Sequence, residues 1–124
     1  METKFFNRKD GNIKVYDMNG EYEGGIEASV SYILSMTYLQ KSNTLVVCTE
    51  SKELLFYNFN ATNPQASTLV GKYCPTETTI HYLESQYVKK YKKQYILGGD
   101  EGGILYFFEL SENWHICNSV KWNI

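Results

Sequence analysis

The sequence is poor in the residues that usually mark chemistry. It has two histidines, His81 and His115, in 124 residues, so acid–base catalysis has few candidates. Its three cysteines, Cys48, Cys74 and Cys117, are odd in number and widely spaced. They read as reduced thiols of a cytosolic protein rather than a disulfide framework. Neither CxxC nor HxxxH occurs, so the close ligand pairs of a structural zinc site are missing. The two prolines, Pro64 and Pro75, mark one loop region in a chain otherwise free to pair. Net charge is only −2, which argues against a general polyanion binder, because non-specific nucleic-acid affinity comes from neutralising many phosphates. No apolar run approaches the length of a membrane span, and METKFFNRKDG has no apolar signal core, so neither a membrane nor a nucleic-acid partner is expected.

What is present favours strands. Hydrophobic residues make up 43%, enough for a packed core, and eleven Tyr and six Phe raise the aromatic share to 15%. Flat rings and branched side chains fit a pleated, half-buried surface. The length suits one domain, residues 1–124. Three segments share a pattern of apolar strand, turn and apolar-aromatic strand: KFFNRKDGNIKVYDM, TLVVCTESKELLFYNF and QYILGGDEGGILYFFEL. Their ends align Tyr16, Tyr57 and Phe108, each followed by Asp17, Asn58 or Glu109, at intervals of 41 and 51 residues. The extra length of the second interval falls in loops near 62–68 and 88–93. Asp10-Gly11 and Glu101-Gly102-Gly103 supply the backbone freedom a tight hairpin needs, whereas Ser51-Lys52-Glu53 predicts a longer or looser loop.

A period of about 40–45 residues with four strands per unit is the mark of WD-type propeller blades. The second strand of each hairpin resembles the WD motif with Tyr or Phe replacing Trp, and DGNIKVYD is nearest to it. The Gly-His pair common before the innermost strand is replaced by EASVSYI. Asp10 matches the turn aspartate of the family's hydrogen-bond relay, without the usual His partner. The expected fold is therefore all-β, a partial WD-repeat β-propeller of a little under three four-stranded antiparallel blades, at about 1–27, 31–72 and 78–119. From the channel outward, the first blade lacks its innermost strand and has strands near 3–6, 12–18 and 21–27. The second has them near 31–39, 44–49, 53–59 and 67–72, and the third near 78–87, 94–98, 104–110 and 114–118. The closing VKWNI reads as the start of another innermost strand. Val15, Val46, Phe56, Leu97 and Phe107 are expected to be buried. Runs such as LVVC and ILYFF suit strands covered on both faces.

A narrower resemblance rests on SYILSMTYLQKSNTLVVCTESKELLFYNF, YCPTETTIHYLES and ILGGDEGGILYFFEL in that order. This run is similar to one in the EF-hand and WD-repeat proteins of cilia and flagella. The resemblance implies a non-catalytic scaffold that joins other proteins, axonemal ones included, in the cytoplasm of a cilium or flagellum. A general cytosolic WD-repeat adaptor and a propeller-based enzyme fragment are the alternatives. Propellers have about four to eight blades, so the remaining blades are expected from the same parent protein or from another chain.

Individual motifs add little chemistry. His115-Ile116-Cys117, and His81 with Cys74, read as edge histidines and thiols, so no metal is expected. From Asp17, a calcium loop would need Gly sixth and Glu twelfth. Tyr22 and Ala28 stand there, and the segment reads as a turn. Residues 98–103, GGDEGG, lack the Gly-Lys-Ser/Thr and helix of a phosphate cradle and also read as a turn. No nucleophile, base and orienting group occur together, so neither catalytic residues nor a cofactor are expected. Lys89, Lys90, Lys92 and Lys93 around Tyr91 form the candidate protein-binding site. A solvated loop is the ordinary reading of such a cluster, and an acidic protein surface is the partner it would suit.

Overall fold

The computed structural model describes residues 4–7, 11–27, 31–74, 79–111 and 116–123. Asp10, residues 28–30, Pro75 and His115, on which several sequence expectations fall, lie outside the described residues, as does the side chain of Cys117. The described residues form three antiparallel sheets. The first joins β1 (Lys4–Asn7), β2 (Asn12–Tyr16) and β3 (Tyr22–Glu27). The second joins β4 (Ile33–Leu39), β5 (Thr44–Thr49), β6 (Leu54–Asn58) and β7 (Thr68–Tyr73). The third joins β8 (Ile80–Val88), β9 (Lys93–Asp100), β10 (Ile104–Leu110) and β11 (Ile116–Asn123). Within each sheet the strands follow chain order, as short connections between sequential strands favour.

Side-chain alternation explains how the sheets stack. Successive residues of a strand face opposite sides. Val46, Cys48, Leu54 and Phe56 therefore share one face of the second sheet and meet Ile80, Leu83, Ile96, Tyr106, Phe108 and Leu110 of the third. Leu45, Val47, Leu55 and Tyr57 share the other face and meet Ile13, Val15 and Ile26 of the first. All six residues of β5 are consequently buried, which is why TLVVCT shows no polar alternation. Burial between the sheets pushes the Cys48 thiol up to about 12, because a thiolate there would lose its hydration.

The hairpin turns share a geometry the sequence only half reveals. In the third sheet, Gly103 takes φ +81° and its N–H donates to the Asp100 carbonyl at 3.4 Å. In the second, Lys52 takes φ 65° and donates likewise to Thr49 at 3.1 Å. The Ser51-Lys52-Glu53 turn is thus tight rather than loose, with lysine doing what glycine does in the third sheet. The segment after β6 also departs from a plain loop. A 3-10 turn at Pro64–Ala66 packs Pro64 against β3, where a Cβ on Gly24 would come within 3.3 Å of the proline ring.

Two expectations need correction. Residues 120–123, read as the start of a new innermost strand, instead extend β11, with Val120 opposite Phe107 and Trp122 opposite Leu105. Continued pairing with β10 satisfies their backbone groups without a further sheet. Leu97 and Phe107, expected to be buried, belong to the face of the third sheet that no other described sheet covers. Leu97 is 36% exposed and Phe107 half-buried. Val15, Val46 and Phe56 are at most 1% exposed.

Candidate functional site

The lysine cluster sits at the turn between β8 and β9. Lys89, Lys90, Tyr91 and Lys92 form that turn and are all exposed. The turn is closed by Tyr91 N–H donating to Val88 at 3.2 Å and Lys92 N–H donating to Lys89 at 3.3 Å. The Lys90 ammonium lies 5.5 Å from the Tyr91 ring centroid, near enough for a cation–π contact. Lys93 departs from the group. It opens β9 and its Nζ pairs with Glu109 Oε1 at 3.1 Å, on the uncovered face of the sheet. Lys93 is exposed too, but its ion pair with Glu109 sets it apart from the turn residues Lys89, Lys90, Tyr91 and Lys92.

Folding adds a residue that sequence proximity hid. The matching turn of the second sheet, Gln40–Ser42, lies on the same rim, and Lys41 Nζ stands 5.6 Å from the Tyr87 ring. Ser42 Oγ donates to Gln94 Oε1 at 2.8 Å across the two sheets. Between the turns lies a cleft of about 550 Å³ lined by Tyr38, Lys41, Ser85, Gln86, Tyr87 and Gln94. The rim therefore presents lysines from two sheets beside an aromatic, polar groove. Its charge favours an acidic surface, and its rings give that surface something to pack on. Nothing near Lys41 in the chain marks it; only the repeat, which places equivalent turns at one end of successive sheets, points to it.

A second surface follows from comparing equivalent positions. In the register of the hairpins, Phe5, Val46 and Leu97 correspond, as do Val15, Phe56 and Phe107, and Ile13, Leu54 and Leu105. In the first sheet Val15 and Ile13 are sealed against the second, and in the second Val46, Phe56 and Leu54 are sealed against the third, each at 0–1% exposure. In the third sheet Leu97 remains open, with Leu105 and Phe107 half-buried. Tyr95 stacks on Phe107 at 5.0 Å, and the half-exposed Trp122 lies 6.1 Å from Phe107. The same positions that join sheet to sheet twice are here left facing solvent.

Among the described residues, no group of three or more His, Cys, Asp or Glu could hold a metal ion, and no helix is long and apolar enough to cross a membrane. Acidic side chains at the turns are engaged locally. The Asp17 carboxylate accepts from the N–H groups of Asn19 and Glu21, at 2.8 and 2.9 Å. Asp100 Oδ1 accepts from Gly102 and Ile104 N–H, both at 2.9 Å, and Oδ2 accepts from the Tyr106 hydroxyl at 3.2 Å. The GGDEGG run is thus a hairpin turn tied by its own aspartate.

No protein-family model and no curated protein sequence matches the chain. Among solved structures, the chain is similar to the crystal structure of the β-propeller domain of Cps50 (Swd1) from Myceliophteria thermophila, with a TM-score of 0.67 at 11% identity. The match covers 94% of this chain and 36% of the other. At that identity the likeness concerns fold alone. The consecutive sheets and this likeness together make the chain a partial β-propeller.

Proposed function

We propose that the chain is a segment of a non-catalytic WD-repeat scaffold that holds proteins together. The observation that carries this reading is the open face of the third sheet, where positions used twice for sheet-to-sheet packing remain exposed. A blade cannot bury its own apolar face, so this one takes the next blade of a longer ring, from the same parent protein or from another chain. The lysine rim of Lys41, Lys89, Lys90 and Lys92 would then serve as a docking surface for an acidic protein. The finer assignment, to a ciliary or flagellar assembly with axonemal partners, is supported by the resemblance of residues 31–110 to the EF-hand and WD-repeat proteins of those organelles. A general cytosolic adaptor is the competing reading.

Two measurements test the proposal. A fluorescent oligoglutamate peptide should bind the wild-type chain in a salt-sensitive manner. Binding should fall about tenfold or more in a Lys89→Glu, Lys90→Glu, Lys92→Glu variant, since charge reversal turns attraction into repulsion. Unchanged binding rejects the rim as the docking surface. The tagged parent protein, imaged in a ciliated cell, should be enriched in axonemes. A diffuse cytosolic or nuclear signal rejects the ciliary assignment and favours the adaptor.

A further inference from the structure

We propose that the cleft between the β4–β5 and β8–β9 turns takes one carboxylate side chain from an acidic segment of another protein, held between the Gln94 side-chain amide and the Lys41 ammonium. The inference deepens the lysine-rim reading and rests on it. The exposed lysines attract the segment, and the cleft decides where it seats.

Gln94 lies on β9, lines the cleft and is only 6% exposed. A side-chain amide buried that far ordinarily has both ends engaged, because a buried polar group without a hydrogen bond is costly. Here the oxygen alone is engaged. Gln94 Oε1 accepts from the Ser42 hydroxyl at 2.8 Å. Ser42 Oγ in turn lies 2.7 Å from Oγ1 of the fully buried Thr44. With the Ser42 proton committed to Gln94, Thr44 supplies the proton of this second bond. The relay fixes which end of the amide faces Ser42. Gln94 Nε2 then has no partner among the described residues. No fully enclosed side-chain nitrogen or oxygen among those residues lacks a partner. Nε2 therefore opens onto the cleft, with N–H groups to donate.

The rest of the lining sets the charge of the occupant. Among the described residues that line the cleft, none is acidic and Lys41 is the one cation. Its Nζ stands 5.6 Å from the Tyr87 ring, at the cleft wall. An anion entering between the turns thus meets a full positive charge and a buried neutral donor. Charge-assisted hydrogen bonds replace the water it gives up. A carboxylate matches the single ammonium. A phosphate dianion would keep an unmatched charge where hydration is reduced, and is the poorer fit. The volume of about 550 Å³ exceeds what a carboxylate alone needs. It leaves room for the side-chain stem against the buried Leu39 and the Tyr87 ring. The segment's other carboxylates remain outside, for Lys89, Lys90 and Lys92 on the exposed turn.

The experiment uses the whole chain and a fluorescein-labelled oligoglutamate peptide. Gln94→Leu, similar in size but without a donor, should weaken binding about tenfold. Its salt dependence should stay that of the wild type, because glutamine carries no charge. Lys41→Met should also weaken binding about tenfold, and should reduce the salt dependence. Thermal melting verifies that each variant is folded, and Lys41→Met, at an exposed position, keeps the test decisive if Gln94→Leu is not. An oligophosphoserine peptide should bind through the lysines and be unaffected by Gln94→Leu. If it binds more tightly than oligoglutamate and loses as much in Gln94→Leu, the cleft takes phosphate and the carboxylate assignment is overturned. The full-length parent protein should bind oligoglutamate as the chain does. If only the chain binds, a segment of the parent fills the cleft and the partner is not another protein. The two readings fail differently. If the wild-type chain does not bind oligoglutamate, the rim falls and the cleft with it. If binding is lost on reversing Lys89, Lys90 and Lys92 but is unchanged in Gln94→Leu and Lys41→Met, only the cleft falls.

Discussion

At the scale of single residues, burial rather than residue type decides what each side chain contributes. Phe56 is 1% exposed between the second and third sheets. Lys90 projects from the rim into solvent, 5.5 Å from the Tyr91 ring. Phe56→Ala should cost about 3–5 kcal/mol, from lost transfer energy and the cavity left behind. Lys90→Ala should stay within about ±0.5 kcal/mol, as for ordinary surface changes. Denaturant titration of both variants measures the difference, and equal losses would refute the packing described. The sequence identified Phe56 as core because it sits inside an apolar hairpin. It misjudged Leu97 and Phe107, in equally apolar hairpins, because periodicity gives which side of a strand a residue faces and not whether another sheet lies there. Their apolar character is the same; their neighbours are not.

At the scale of elements, the turns show how a local backbone requirement can be met against propensity. Lys52 and Gly103 occupy equivalent places in two hairpins, both with positive φ. For a residue with a Cβ, that conformation costs roughly 1–2 kcal/mol, while glycine adopts it freely. Lys52→Gly is therefore expected to stabilise the chain by up to about 1 kcal/mol, part of the relief being offset by the greater freedom of glycine in the unfolded state. Gly103→Ala should destabilise by about 1–2 kcal/mol. A Cβ there would meet nothing within 4 Å, so backbone strain alone is responsible. Opposite shifts in melting temperature for the two variants verify the shared turn, and shifts of one sign disprove it. Asp-Gly and Gly-Gly pairs are legible in a sequence because glycine is the default for this geometry. A lysine forced into it by its flanking strands carries no such mark. The strands themselves were legible, since alternating and continuous apolar runs fix their number and order.

At the scale of the whole molecule, an incomplete stack governs behaviour. The open face carries Tyr95, Leu97, Phe107 and Trp122, and contiguous apolar surface of this kind drives association. The isolated chain is expected to self-associate or aggregate. Leu97→Glu combined with Phe107→Ser should reduce that association with little loss of fold, because these side chains lie outside the two sheet-to-sheet cores. Static light scattering over a concentration series tests this. A wild-type chain that stays monomeric and unfolds cooperatively contradicts the reading of the face as a blade-receiving surface.

The repeat, the strand order and the chemistry of the lysine turn were determined by the sequence alone, since each depends on side-chain type and spacing along the chain. Tertiary structure decided the rest. It carried residues 120–123 into β11 because pairing with β10 satisfies their backbone, and it drew Lys93 out of the cluster onto Glu109. It also brought Lys41 to the same rim as Lys89, Lys90 and Lys92 across about fifty residues of chain, the length of one repeat. Such outcomes depend on which surfaces meet after the strands pair, and a linear pattern does not contain that.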